Sequence, residues 1–163
     1  MRLKLIIGAL TIASLLGCSN TNNAGERTAY KSFTEGIELT DLVGNPIDLS
    51  GLKGKRIILN VWATWCKPCI QEMPSLEELQ KSLPEDKYII LLASSEGLDK
   101  IKKFKERNSY TLEFVQLITT QESLGIYSLP TTFIIDEKGK LLITENGMRD
   151  WGDHEVIKEI EQL

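Results

Sequence analysis

From about Phe33 onward, apolar residues come in short runs whose period switches between two and about three and a half, the pattern of alternating strands and helices. Ile37-Glu38-Leu39-Thr40 and Pro46-Ile47-Asp48-Leu49 flank a turn at Val43-Gly44-Asn45 and predict a β-hairpin. Arg56 to Ala63 is apolar on both faces and reads as a central strand. Lys67 to Leu83 carries helical spacing; Pro68 fits the first turn, and Pro74 predicts a kink. Lys87 to Ala93 is a second buried strand. Leu98, Ile101, Phe104 and Lys105 predict a helix ending near Arg107-Asn108, and Glu113 to Ile118 a short strand. Thr131 to Ile135 and Leu141 to Asn146 form a hairpin across Glu137-Lys138-Gly139. Asp153 to Leu163 is a C-terminal helix with Asp153 as its cap. The alternation implies an α/β domain: a mixed central sheet with helices on both faces and the N-terminal hairpin as an extension.

The first thirty residues follow another pattern. Arg2 and Lys4 form a short basic region, and Leu5 to Leu16 is apolar but too short to span a bilayer. The run ends in Leu15-Leu16-Gly17-Cys18, which resembles the lipobox of bacterial lipoproteins, where cleavage precedes the cysteine and its sulfur takes a diacylglycerol. An ordinary secretory signal with an incidental cysteine is the alternative. Ser19 to Ala29 lacks any large apolar residue and reads as a flexible tether, with a root-mean-square reach of roughly 20 Å. The expected organisation is a signal peptide over residues 1–17, a tether over 18–32 carrying a lipidated Cys18, and one domain over 33–163.

Removing residues 1–17 takes away Arg2 and Lys4 and no acid. The basic count falls from 19 to 17 against 23 acidic residues, a net charge of −6. That balance argues against nucleic acid as a partner, since nucleic acid needs a basic face. The remaining chain can bury a full core without structural disulfides.

The candidate chemistry lies in Trp65-Cys66-Lys67-Pro68-Cys69, between the central strand and the first long helix. A strand that delivers a C-x-x-C pair to a helix start suits dithiol–disulfide exchange. The first cysteine sits among backbone N–H groups at the positive end of the helix dipole, which favours the thiolate that attacks disulfides. The second, one turn on, is close enough to close an intramolecular disulfide. Half of a zinc site is the competing reading, but structural zinc needs four ligands, and the chain offers only Cys18 and His154 besides. With Cys18 assigned to lipid, no metal is expected, and the only redox group is the Cys66–Cys69 pair itself. Pro68 stiffens the turn and Lys67 supports the thiolate, so both tune the redox poise. Trp65, flanked by polar Thr64 and Lys67, is expected as an exposed platform beside Cys66; Trp62 is expected in the core; His154 sits in a polar helix start.

Glu72 has two readings. With Cys69, Leu76, Leu79 and Leu83 it follows a 3–4–3–4 spacing, which puts it on the apolar seam one turn from Cys69. A carboxyl there would be desolvated, with a raised pKa, and could exchange a proton with Cys69. It could equally be a solvated acid favoured by the helix dipole.

The C-x-x-C segment, the later Leu129-Pro130-Thr131-Thr132-Phe133 and the strand–helix order resemble the thioredoxin fold. The hairpin Asp41 to Leu49, the run Asn60-Val61-Trp62-Ala63-Thr64-Trp65-Cys66, Glu72-Met73-Pro74 and Gly147-Met148-Arg149-Asp150-Trp151 resemble, more narrowly, the membrane-anchored TlpA-like and ResA-like thiol–disulfide oxidoreductases. The resemblance covers residues 35–163. It implies a buried functional glutamate at Glu72. Asn60 departs from the buried aspartate of thioredoxins and cannot serve as their proton acceptor. The resemblance implies a cis peptide bond at Pro130, beside the cysteines, and a substrate contact at Leu129; an ordinary core leucine is the alternative there. It further implies an extracytoplasmic disulfide reductant, held to a membrane by its lipid and supplied with electrons by a membrane donor protein. Its substrates would be protein disulfides, with the haem-site cysteines of apocytochrome c as the family-level expectation and a part in cytochrome c maturation. A copper-handling module and a redox-inert binding domain of the same fold are the alternatives. Copper chaperones of this fold use a wider cysteine spacing and a histidine near the proline, and neither occurs here.

Overall fold

The computed structural model describes residues 32–52 and 54–163; the expected signal peptide, Cys18 and nearly all of the tether lie outside them. Seven strands form one sheet: β1 (Leu39–Thr40), β2 (Pro46–Ile47), β3 (Arg56–Val61), β4 (Tyr88–Ser94), β5 (Glu113–Leu117), β6 (Thr131–Ile135) and β7 (Leu141–Asn146). Their spatial order is β2-β1-β5-β4-β3-β6-β7. Strands β3, β4 and β5 run parallel, and the remaining pairings are antiparallel, so the sheet is mixed. The helices are α1 (Lys67–Ser82), α2 (Leu98–Arg107) and α3 (His154–Gln162). Asp153 caps α3, accepting the Glu155 and Val156 N–H groups at 2.8 and 3.4 Å. Pro74 lies inside α1 without ending it. Among the described residues no helix is long and apolar enough to cross a membrane.

Helical segments cover both faces of the sheet, as the alternation predicts, but unequally. The crossovers β3–α1–β4 and β4–α2–β5 step the same way across the sheet, and right-handed crossovers of that kind place both helices on one face. The hairpin β6–β7 returns α3 to that face as well. One buried cluster accordingly joins Ile58, Trp62, Ile90, Leu92, Phe114 and Ile134 to residues of all three helices. The alternate strand positions, Ile57, Leu59, Val61, Leu91, Val115 and Phe133, face the other way. Among the described residues they meet no α-helix there, but short 3₁₀ turns (Phe33–Gly36, Leu49–Leu52, Glu122–Leu124), the N-terminal hairpin, and Ile126 and Leu129 of the loop before β6. These turns escape a periodicity reading because a single turn presents too few positions to show a period.

The start of the described chain is tied to the β6–β7 turn. Phe33 N–H and the Ser32 hydroxyl both donate to Gly139 O at 2.9 Å, and the Phe33 and Phe133 rings lie 5.1 Å apart. Gly139 has a φ of 84°, and a Cβ there would collide with the Ser32 and Thr34 hydroxyls. Gly125 also has positive φ (71°), but open space surrounds it. Gly125→Ala should therefore cost only the left-handed backbone penalty, roughly 1–2 kcal/mol. Gly139→Ala should cost more, because it also breaks the N-terminal tie. Denaturant unfolding of both variants checks the order; equal losses would mean that the contact with Ser32 and Thr34 carries no stability.

Candidate functional site

Strand β3 ends in the core and the chain turns into α1 through Ala63-Thr64-Trp65-Cys66. Cys66 is the N-cap of α1, with extended backbone, and Cys69 lies in the first turn; their sulfurs are bonded to each other. An N-cap side chain normally offers oxygen to the free N–H groups of the first turn. Here sulfur takes that place: Cys66 Sγ accepts the Cys69 N–H at 3.3 Å. In a reduced pair the same N–H would face the Cys66 sulfur. Cys66 is 4 % exposed and Cys69 fully buried, so the expected order of access holds but over a narrow margin. Trp65 beside them is 73 % exposed, Lys67 and Pro68 are exposed, and Trp62 is buried against Phe104 and Phe114.

The loop before Cys66 is gripped by a residue the sequence did not single out. Glu96, just beyond β4, accepts the Thr64 N–H at 2.6 Å and the Thr64 hydroxyl at 3.0 Å, and pairs with Lys100 at 3.5 Å. Its position after a strand that runs parallel to β3 explains the reach: the C-terminal ends of β3 and β4 lie side by side.

Glu72 is buried, 2 % exposed, on the seam of α1 that its spacing predicts. Three donors converge on it. Asn60 Nδ2 donates to Oε1 at 2.7 Å; Arg149 N and Trp151 Nε1 donate to Oε2 at 3.1 and 3.2 Å. The Ser75 hydroxyl adds a clasp, donating to the Glu72 carbonyl at 2.8 Å and accepting the Trp151 N–H at 3.1 Å. Asn60 and Thr132 are directly opposite in the β3–β6 ladder, and Asn60 Nδ2 also donates to Thr132 Oγ1 at 2.9 Å. Burial raises the Glu72 pKa, helped by the charge of Glu145, while the bonds from Arg149, Asn60 and Trp151 pull it down. Each bond to a charged acceptor contributes about 1.5–3 kcal/mol, against a desolvation cost of several kcal/mol for a buried ion, and the balance leaves the carboxyl above its ordinary range. Asn60 thus has a part that its mismatch with thioredoxins concealed. Arg149 and Trp151 belong to a quoted motif, but nothing local in the sequence pointed them at Glu72. Arg149 is itself held by Glu145 (3.3 Å) and Glu159 (2.5 Å).

The bond between Leu129 and Pro130 is cis. Pro130 is buried and its carbonyl accepts the Gly147 N–H at 2.8 Å. Leu129 is half-buried against the cluster that holds both cysteines, and its N–H and C=O have no hydrogen-bond partner among the described residues. His154 is exposed at the first position of α3, and Cys18 lies outside the described residues.

Known proteins resemble the chain in sequence and in fold. Residues 32–143 match the model of the AhpC/TSA family. The thiol-disulfide oxidoreductase ResA of Bacillus thuringiensis is 41 % identical over 109 residues, which are 64 % of this chain and 62 % of that protein, so the match spans less than two thirds of that relative. ResA of Geobacillus thermodenitrificans is 35 % identical over 147 residues, 85 % of this chain and 83 % of its own. The crystal structure of the pneumococcal exposed lipoprotein thioredoxin of Streptococcus pneumoniae superposes with a TM-score of 0.64 at 28 % identity, covering 77 % of this chain and 98 % of that one.

The raised pKa of Glu72 gives stability a definite dependence on pH. Between the ordinary glutamate value and the raised one, the native state holds a proton that the unfolded chain has released, so stability contributed by this group falls as pH rises. That contribution is full below about pH 4.3, the unfolded value, and is lost as pH passes the folded one. Subtracting the unfolding free energies of Glu72→Gln from those of the wild type, pH by pH, should isolate this slope. The opposite slope would mean that the three donors outweigh burial.

Proposed function

The chain belongs to the AhpC/TSA family, among its ResA-like thiol–disulfide oxidoreductases, and we propose that it acts as an extracytoplasmic, lipid-anchored disulfide reductant with Cys66 and Cys69 as its dithiol. The observation that carries this reading is the placement of the pair. The two sulfurs are bonded at the amino end of α1, an N–H is aimed at the first of them, and a buried carboxyl lies one turn behind the second.

In the reaction, the Cys66 thiolate attacks one sulfur of a protein disulfide. A mixed disulfide forms and the other substrate sulfur leaves as a thiolate. Cys69 then gives its proton to Glu72 and attacks Cys66 Sγ, which releases the second substrate sulfur. The substrate gains two electrons and the protein is left with the Cys66–Cys69 disulfide. A membrane donor protein returns the two electrons. The dipole of α1 and the Cys69 N–H favour charge on Cys66, the sulfur that attacks first. Burial of Cys69 beside an acid whose desolvated carboxylate takes a proton readily suits the resolving step. Exposed Trp65 offers an apolar platform, and the free N–H and C=O of Leu129 offer an extended substrate segment two backbone hydrogen bonds. Lys67 and Pro68, in the first turn, set the poise of the couple, in which a 30 mV change corresponds to about 1.4 kcal/mol. The haem-site cysteines of apocytochrome c are the substrate class this reading favours.

The anchor rests on Leu15-Leu16-Gly17-Cys18, with residues 1–17 removed and 18–32 as the tether to the domain over 33–163. The lipoprotein named among the similar structures supports it. A tether of this length leaves the dithiol free to meet partners on the membrane surface.

Two experiments test this function. Cys66→Ser should abolish reduction of a protein disulfide, and Cys69→Ser should accumulate mixed disulfides; faster alkylation of Cys69 than of Cys66 in the reduced protein would reverse their roles. Separately, Cys18→Ala should leave the protein uncleaved or released from the membrane fraction. Unchanged fractionation, with no lipid mass on the mature N-terminus, would remove the anchor from the reading.

A further inference from the structure

The two oxygens of Glu72 have partners of different kinds. Oε2 accepts from a backbone N–H (Arg149) and an indole N–H (Trp151), and neither group can ever accept. Among the described residues, Oε1 accepts only from the Asn60 amide. An amide can reverse, since its oxygen and NH₂ ends are nearly the same size. Its other contact, the Thr132 hydroxyl, can donate as well as accept. Asn60 Oδ1, meanwhile, is buried with no hydrogen-bond partner among the described residues. The amide therefore has one working corner, shared by Glu72 Oε1 and Thr132 Oγ1, and either of its ends can fill it.

We propose that Asn60 reverses with the protonation state of Glu72 and thereby fixes Oε1 as the oxygen that takes and releases the proton. The proposal rests on the proton role given to Glu72 above. With Glu72 ionised, Asn60 Nδ2 fills the corner and donates to both oxygens. When a proton arrives on Oε1, the amide turns and Oδ1 fills the corner, accepting from Oε1–H and from the Thr132 hydroxyl. The count of hydrogen bonds is the same in both states, so the acid can cycle without loosening the β3–α1 seam. The charged groups facing Glu72 sit elsewhere: Glu145 on β7, Arg149 after it, and Glu159 on α3, reached only through Arg149. None of them touches Oε1. An ionised aspartate at this strand position could only accept, and would hold the proton in the corner more tightly than an amide that can turn. Asn60 is thus a positioning residue: it acts through Glu72 and touches no substrate.

The test uses isotope-labelled oxidised protein, in which neither cysteine titrates. Nuclear magnetic resonance then follows Glu72 Cδ and Asn60 Cγ and Nδ2 against pH. The Asn60 signals should titrate with the same midpoint as Glu72. In Glu72→Gln, whose NH₂ stands in for Oε1–H, they should match the low-pH wild-type values at every pH. In Asn60→Asp, where two carboxyls share the corner, the proton should bind at least tenfold more tightly, raising the midpoint by about one pH unit or more. Asn60 signals that stay constant while Glu72 titrates, or that match the high-pH wild-type values in Glu72→Gln, would overturn the proposal. Part of the same wild-type sample, first reduced with excess dithiothreitol and freed of it, is then given insulin disulfides, and their reduction separates the two claims. Activity with an unresponsive Asn60 refutes only the reversal, whereas no activity refutes the proposed function.

Discussion

A buried carboxylate joins the helix that carries the cysteines to two other parts of the chain. Glu72 projects from α1 into the seam with the sheet, where it meets Asn60 of β3 and, from the segment between β7 and α3, Arg149 and Trp151. An apolar side chain at position 72 would pack there but would leave three donors unanswered, each a buried polar group with a cost of its own. The acid is therefore held by its surroundings, and they are held by it. The clasp through Ser75 and Trp151 N–H repeats the connection one turn along. The proposed chemistry assigns its proton acceptor to this same junction, so the stability of the fold and that chemistry draw on one cluster.

The position of that cluster follows from the sheet. Alternation along β3 points Ile58, Asn60 and Trp62 to the face that carries all three α-helices, and Ile57, Leu59 and Val61 to the face covered by turns. Asn60 is therefore a polar residue between apolar Ile58 and Trp62 in a row that Arg56 begins, and α1 brings Glu72 to meet it. Beyond the sheet's edge the chain must leave the core to enter α1. Glu96 holds Thr64 at that exit, and the Cys66 sulfur takes up a first-turn N–H. Rigid elements thus fix both ends of a short loop, which holds the Cys66–Cys69 pair in place while leaving Trp65 in solvent.

Much of this was legible along the chain because it is local. Strand and helix positions, the hairpins, the Asp153 cap and the helix-start placement of Cys66 all depend on neighbours a few residues apart. The seam position of Glu72 is also a matter of helical period, although spacing alone left a solvated acid equally open. Sequence could not supply the partners of that acid, because Arg149 and Trp151 are 77 and 79 residues away and reach it only when β6, β7 and the segment after them fold back over α1. Glu96 was missed for the same reason, being 32 residues from the Thr64 it grips. Periodicity and motif spacing determined which residues are buried and where the thiols stand. The tertiary structure alone decided which polar groups share each buried corner, because a buried charge is tuned by atoms within about 4–6 Å, and those atoms are gathered by folding rather than by order along the chain.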